Sequence, residues 1–184
     1  MLGVPFSSMS QKITPEEWPF MPAWCKYTQA GRESTVSPSP QAQVLIGQMG
    51  KEGWMAVHHY CWGLAQLYRS HGVGLSQTER EFFMKSAVKE IDYVLANSPR
   101  NFMLRPELLT KRGSIFLMLK EYVQAEVNLK TAIKEQASYW PPYGYLSDLY
   151  FEQGKVLEAR TILEKGLKIA PNAKGLQARL AKLK

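Results

Sequence analysis

The residues whose types and spacing could do chemistry in this chain are His58, His59 and Cys61, in the run His58-His59-Tyr60-Cys61, with Cys25 the only other cysteine. On a helix, residues three apart share a face, so His58 and Cys61 could hold one ion between them. Zinc would take the neutral imidazole and the thiolate as two of its four tetrahedral ligands. The sequence supplies no CxxC pair and no second His/Cys group at metal-ligand spacing, so the pair falls short of a zinc site. The same two residues could serve as nucleophile and base, but a third residue to orient the imidazole and an oxyanion site are both missing. No phosphate loop, dinucleotide glycine fingerprint or serine elbow occurs. Gly72-Val73-Gly74 reads as a turn, and Asp92, Glu107, Asp148 and Glu152 stand as single carboxylates with no acid–base partner. No cofactor is expected, and the chain reads as a non-enzyme.

The cysteines also have a structural use. A Cys25–Cys61 bond would close a loop of some 36 residues. In an oxidising compartment such a closure contributes roughly 3–4 kcal/mol through lost unfolded-state entropy. In a reducing cytoplasm both would be buried thiols behaving as small apolar residues. The compartment stays open between cytoplasm and periplasm or cell envelope, with the envelope favoured if the bond forms and an upstream signal is missing.

The 184 residues are 45% hydrophobic and 21% charged, which describes an ordinary soluble globular protein with room for a core. Lys and Arg exceed Asp and Glu by 23 to 16, for a net charge of +7. The basic residues are scattered over helical faces and the tail, with no compact block, which argues against a dedicated nucleic-acid site. No run of 18 apolar residues suggests a membrane span. Met1 to Met9 is too short for a secretory signal and lacks a basic start.

The elements that position these residues follow from a repeat. At an offset of 34 residues, Leu109 falls over Tyr143, Phe116 over Tyr150, Ala125 over Ala159, Leu129 over Leu163 and Ala132 over Gly166. A period of this length marks stacked helical hairpins. Apolar spacing predicts helices near 104–119, 121–136, 140–153, 155–169 and 173–183, the last capped by Asn172 and closing the end of the stack. Small residues, Gly113, Ala125, Ala132, Ala159 and Gly166, sit where helix backbones must approach closely. Upstream, 52–69 and 79–97 read as two further helices, a divergent hairpin with Gly63 and Pro99 in the repeat's glycine and proline places. Residues 1–50 hold Pro5, Pro15, Pro19, Pro22, Pro38 and Pro40, which oppose long regular structure. Yet Trp18, Phe20, Met21, Trp24 and Tyr27 seek burial. This segment is expected to be an extended or briefly helical strap on the helical body, starting at Thr14-Pro15, with 31–40 a flexible loop.

The pattern resembles the tetratricopeptide repeat family. Gly113, Phe116, Ala125, Leu129 and Ala132 match its consensus in the first copy, and Tyr143, Leu146, Tyr150, Ala159, Leu163 and Pro171 in the second. Ala137, Arg112 and Ser147 depart from it, at places where proline, leucine and glycine are usual. The fold expected is all-α: a short right-handed stack of hairpins with an irregular Pro/aromatic-rich N-terminal strap and a C-terminal capping helix. The expected divisions are 1–50 strap, 51–100 divergent hairpin, 101–139 and 140–172 repeats, and 173–184 cap helix. In this setting His59 fills the place of a large helix-packing residue, and His58 is a packed or half-exposed neighbour.

The resemblance also implies a binding face, since members of the family take extended peptides or helices on the concave side formed by the first helix of each hairpin. Carried over by register, that face holds Tyr60, Leu64 and Tyr68, then Thr110, Ser114, Leu117 and Met118, then Asp148, Phe151 and Glu152. Val57, Leu67, Glu107, Pro141 and Gly144 fall on it too. The Lys and Asn clamp that some members use on a chaperone tail is replaced by Thr110, Ser114 and Tyr145. An apolar-aromatic groove with two acids suits a hydrophobic or basic segment of another protein. The function expected is a non-catalytic scaffold or adaptor that docks a partner protein within a larger assembly. The alternatives are a metal- or thiol-dependent activity centred on His58, His59 and Cys61, and accessory nucleic-acid binding by the basic surface.

Overall fold

Among the described residues, eight α-helices and three short 3-10 turns carry the chain, and there is no strand. The structure is a computed structural model and describes residues 12–183. The first eleven residues of the expected strap, Pro5 and the short Met1–Met9 segment among them, lie outside the described residues, as does Lys184. The chain divides between Met103 and Leu104 into two compact units.

The first unit begins with 3-10 turns at Trp18–Phe20, Ala23–Tyr27 and Gln29–Gly31. Thr14 does open a turn: its N–H donates to Glu17 Oε2 at 2.8 Å, and Glu17 N–H donates to the Thr14 carbonyl at 3.0 Å. The turn cannot grow into a helix because Pro22 forces Met21 out of the helical region, to φ −92° and ψ 150°. Helix α1 (Pro40–Met49) corrects the expectation of an irregular segment up to residue 50. Pro40 takes the first helical turn, where its missing N–H costs nothing, and the Ser39 side chain accepts from Ala42 N–H. Glu33 holds that cap in place by accepting from the Ser39 hydroxyl at 2.7 Å.

Helices α2 (Lys51–Ser70) and α3 (Gln77–Asn97) form the unit's hairpin. Arg80 of α3 donates to the carbonyls of Ser70 and Gly72, satisfying the open C-terminal end of α2. Ser76 and Glu79 make a full capping box at the start of α3. A Cβ on Gly63 would stand 3.3 Å from the Ala87 carbonyl oxygen, so here the two backbones are in close approach.

The second unit is α4 (Arg105–Met118), α5 (Tyr122–Glu135), α6 (Pro141–Glu152), α7 (Val156–Ile169) and α8 (Lys174–Lys182). Each expected helix is present within two residues of its predicted ends. The 34-residue register is also a burial register: Ala125, Ala159, Leu129 and Leu163 are all fully buried, and Leu109 and Tyr143 nearly so. Gly113 repeats the Gly63 contact, with its missing Cβ 3.3 Å from the Ala125 carbonyl oxygen. The α4–α5 and α6–α7 turns match as well, with Lys120 at φ 59° and Gly154 at φ 74°. Helix α8 buries Leu176 against Tyr143 and Leu163. Its cap position is Ala173, not the expected Asn172. No described helix is long and apolar enough to cross a membrane.

Candidate functional site

The His/Cys run sits midway along α2. Cys25 and Cys61 are joined by a disulfide with their Cα atoms 5.9 Å apart, and both are fully buried. They pack with Ile13, Met21 and Ala65, beneath Trp18, Trp24 and Trp62. The bond leaves Cys61 no thiolate to share with His58. Burial, reinforced by the adjacent His59, pushes the His58 imidazole down to about 4, so it is neutral near pH 7. His59 Nδ1 pairs with Glu90 Oε2 of α3, and its ring stacks on Tyr93 with centroids 3.7 Å apart. Trp62 meets both histidines edge-on. His59 thus does the packing work of a large residue between α2 and α3. Among the described residues, no three His, Cys, Asp or Glu side chains are grouped to hold a metal ion.

The strap lies on the groove residues expected in α2. Phe20 stacks on Tyr68 with centroids 4.4 Å apart, Trp24 on Tyr60 at 6.4 Å, and Leu64 packs beside the disulfide. Trp54 Nε1 donates to the Tyr27 carbonyl at 3.3 Å. Arg69 grips Glu17 through Nε at 2.6 Å and a terminal nitrogen at 2.9 Å, and reaches the Lys12 carbonyl. Tyr60 is completely buried, so in this state it presents no surface to another molecule.

In the second unit the expected residues divide. Thr110 and Ser114 are buried, with their hydroxyls donated to the Pro106 and Lys111 carbonyls of their own helix. Leu117 is 8% exposed and packs in the core. Met118 and Phe151 stand out, 41% and 53% exposed. Glu152 accepts from the Tyr122 hydroxyl at 3.1 Å. Asp148 takes a bidentate grip from Arg179 of α8, at 2.9–3.0 Å, and the same guanidinium lies over the Tyr145 ring. Asp148, Phe151 and Ser147 of α6 face Gly175, Arg179 and Leu183 across a groove of about 410 Å³. Arg179 escaped the sequence reading because nothing in a helical period joins it to a carboxylate 31 residues earlier.

With this geometry in hand, comparison with known proteins is informative. The family profile described as tetratricopeptide repeat matches residues 116–180. A thermophilic TPR protein of Thermus thermophilus superposes with a TM-score of 0.62 at 20% identity, covering 78% of this chain and 69% of that one. The first TPR of Spaghetti, bound to the HSP90 peptide SRMEEVD, gives a TM-score of 0.49 at 21% identity over 66% of this chain and 91% of that one. No curated protein matches the sequence. The helices of residues 116–180 are thus similar to tetratricopeptide repeats.

Proposed function

We propose that this chain is a non-catalytic docking module, and that it holds a partner protein on the first-helix face of its second unit. The observation that carries this reading is the pair Met118 and Phe151. Both are large, apolar and open to solvent, Met118 at the end of α4 and Phe151 near the end of α6, and Phe151 lines the groove against α8. A large apolar side chain left exposed beside a groove marks a candidate contact surface for another protein. The partner segment would insert an apolar anchor at Phe151, with Glu152 beside it favouring a basic flank, since Asp148 is already compensated by Arg179. On the corresponding face of α2, the strap already holds the aromatic positions.

The test is capture of partners by the intact chain and by a Met118→Ser/Phe151→Ser variant. Both changes are at exposed positions, and circular dichroism checks the fold. The variant should lose the recovered partners, while His58→Ala should keep them. The opposite pattern would move the functional centre to α2.

A further inference from the structure

The second-helix side of the second unit carries a separate feature. Helices α5 and α7 both pack on α6, and between them runs a groove of about 710 Å³. Its floor is Tyr143 and Leu146 of α6, nearly buried. Its walls are Ile133 of α5 and Ile162 and Ile169 of α7, with Ile169 41% exposed. Lys130, Lys165 and Lys168 stand on the lining, against one carboxylate, Glu158. Lys130 is engaged by Glu126 at 2.7 Å. Lys165 and Lys168 are exposed, and neither pairs with a carboxylate among the described residues. Lys168 also suits the carbonyl end of α7, but Lys165 lies ahead of the last turn, where that explanation fades. On the same helices, outside this lining, Val127 and Leu157 are 59% and 77% exposed.

We propose that this groove docks an acidic amphipathic helix of a partner protein, one with aliphatic anchors at i, i+4 and i+7 flanked by Glu or Asp. Charge complementarity selects the acidic partner: Lys165 and Lys168 border an apolar floor without a carboxylate of their own, Lys130 beside them is already held by Glu126, and Glu158 is the one carboxylate of the lining. The walls select a helix. An extended peptide would need donors and acceptors for its backbone, and the lining offers few: the Tyr150 hydroxyl already donates to Glu126, and the Thr161 hydroxyl to the Leu157 carbonyl. A helix satisfies its own backbone and can lay a stripe of side chains into a groove between two helices. From Glu158 to Ile169 the groove follows α7 for roughly 16 Å at 1.5 Å per residue, about three turns of a docked helix. This face is distinct from that of Met118 and Phe151, so the two readings stand or fall separately.

The experiment is fluorescence anisotropy with the intact chain and a labelled synthetic helix carrying a leucine stripe flanked by glutamates. Two controls are the same peptide with lysine replacing every glutamate, and a scrambled peptide of identical composition without the stripe. Saturable binding of the acidic striped peptide alone is expected. It should weaken about tenfold in Lys165→Glu/Lys168→Glu and in Ile169→Ser, and be unchanged in Met118→Ser/Phe151→Ser. All these positions are exposed, and circular dichroism verifies each fold. Absence of saturable binding, equal binding of the lysine peptide, or indifference to the Lys165→Glu/Lys168→Glu change would overturn the proposal. So would preferential binding to phosphatidylglycerol vesicles, lost in the same variant, because the groove would then serve an anionic lipid surface.

Discussion

His58 is the residue through which acid should act on this protein. Its imidazole titrates at about 4, well below the ordinary value near 6.5, first because it is buried and second because His59 is beside it. Between those two pH values the unfolded chain binds the proton and the folded chain does not. Stability therefore rises with pH across this window and is lost as pH falls from about 6.5 towards 4. Melting temperatures measured across that range should fall less steeply for His58→Gln than for the wild type; identical slopes would remove His58 as the cause. Gly113 makes a second residue-scale case. A Cβ there would lie 2.7 Å from Leu129 Cγ, so Gly113→Ala should lower stability by about 1–2 kcal/mol through overpacking, even though alanine favours helix by up to about 1 kcal/mol. A denaturant midpoint at or above that of wild type would show that Leu129 yields freely.

At the scale of elements, the two repeat turns form a natural experiment. Lys120 and Gly154 occupy the same left-handed position, 34 residues apart, at φ 59° and 74°. Only glycine takes that conformation without a penalty of roughly 1 kcal/mol. Lys120→Gly should raise the melting temperature and Gly154→Ala should lower it, a pair of opposite shifts that a packing effect would not produce. The strap is the other element, and it has one covalent fastening. Its disulfide spans 36 residues, so Cys25→Ser/Cys61→Ser should cost about 4 kcal/mol by loop-closure entropy. Stacking of Phe20 on Tyr68 and the Glu17–Arg69 pair remain in that variant. Limited proteolysis should cut it faster around residues 32–39, between strap and α1, while oxidised wild type resists. Equal cleavage rates would mean that the noncovalent contacts alone hold the strap.

For the whole molecule, the division at Met103/Leu104 implies that the repeats own a core. Helices α4 to α8 enclose Leu129, Leu149, Leu163 and Leu176, all fully buried, and α8 covers the last hairpin as a terminal cap should. A fragment of residues 104–184 is expected to give a helical spectrum and a cooperative melt. A non-cooperative melt would show that two hairpins and a cap do not suffice.

What the sequence determined by itself was periodic. Burial at Ala125 and Ala159, and at Leu129 and Leu163, was legible because a stacked repeat imposes one environment on equivalent positions. The strap's need for burial was legible from its aromatic density. Helix α1 was not, because prolines that oppose a helix interior are harmless in its first turn, and only Ser39 and Glu33 together show which case applies. The fate of the face expected to bind belonged to tertiary structure. Register placed Tyr60, Leu64 and Tyr68 on it, but Trp24, the disulfide and Phe20 now occupy it. The same register held Thr110 and Ser114 available, yet their hydroxyls are spent on their own helix. The Arg179–Asp148 clamp and the lysine-rimmed groove join residues of different helices. A periodic pattern fixes which face of each helix turns inward; which distant side chains meet across that face is decided only when the helices pack.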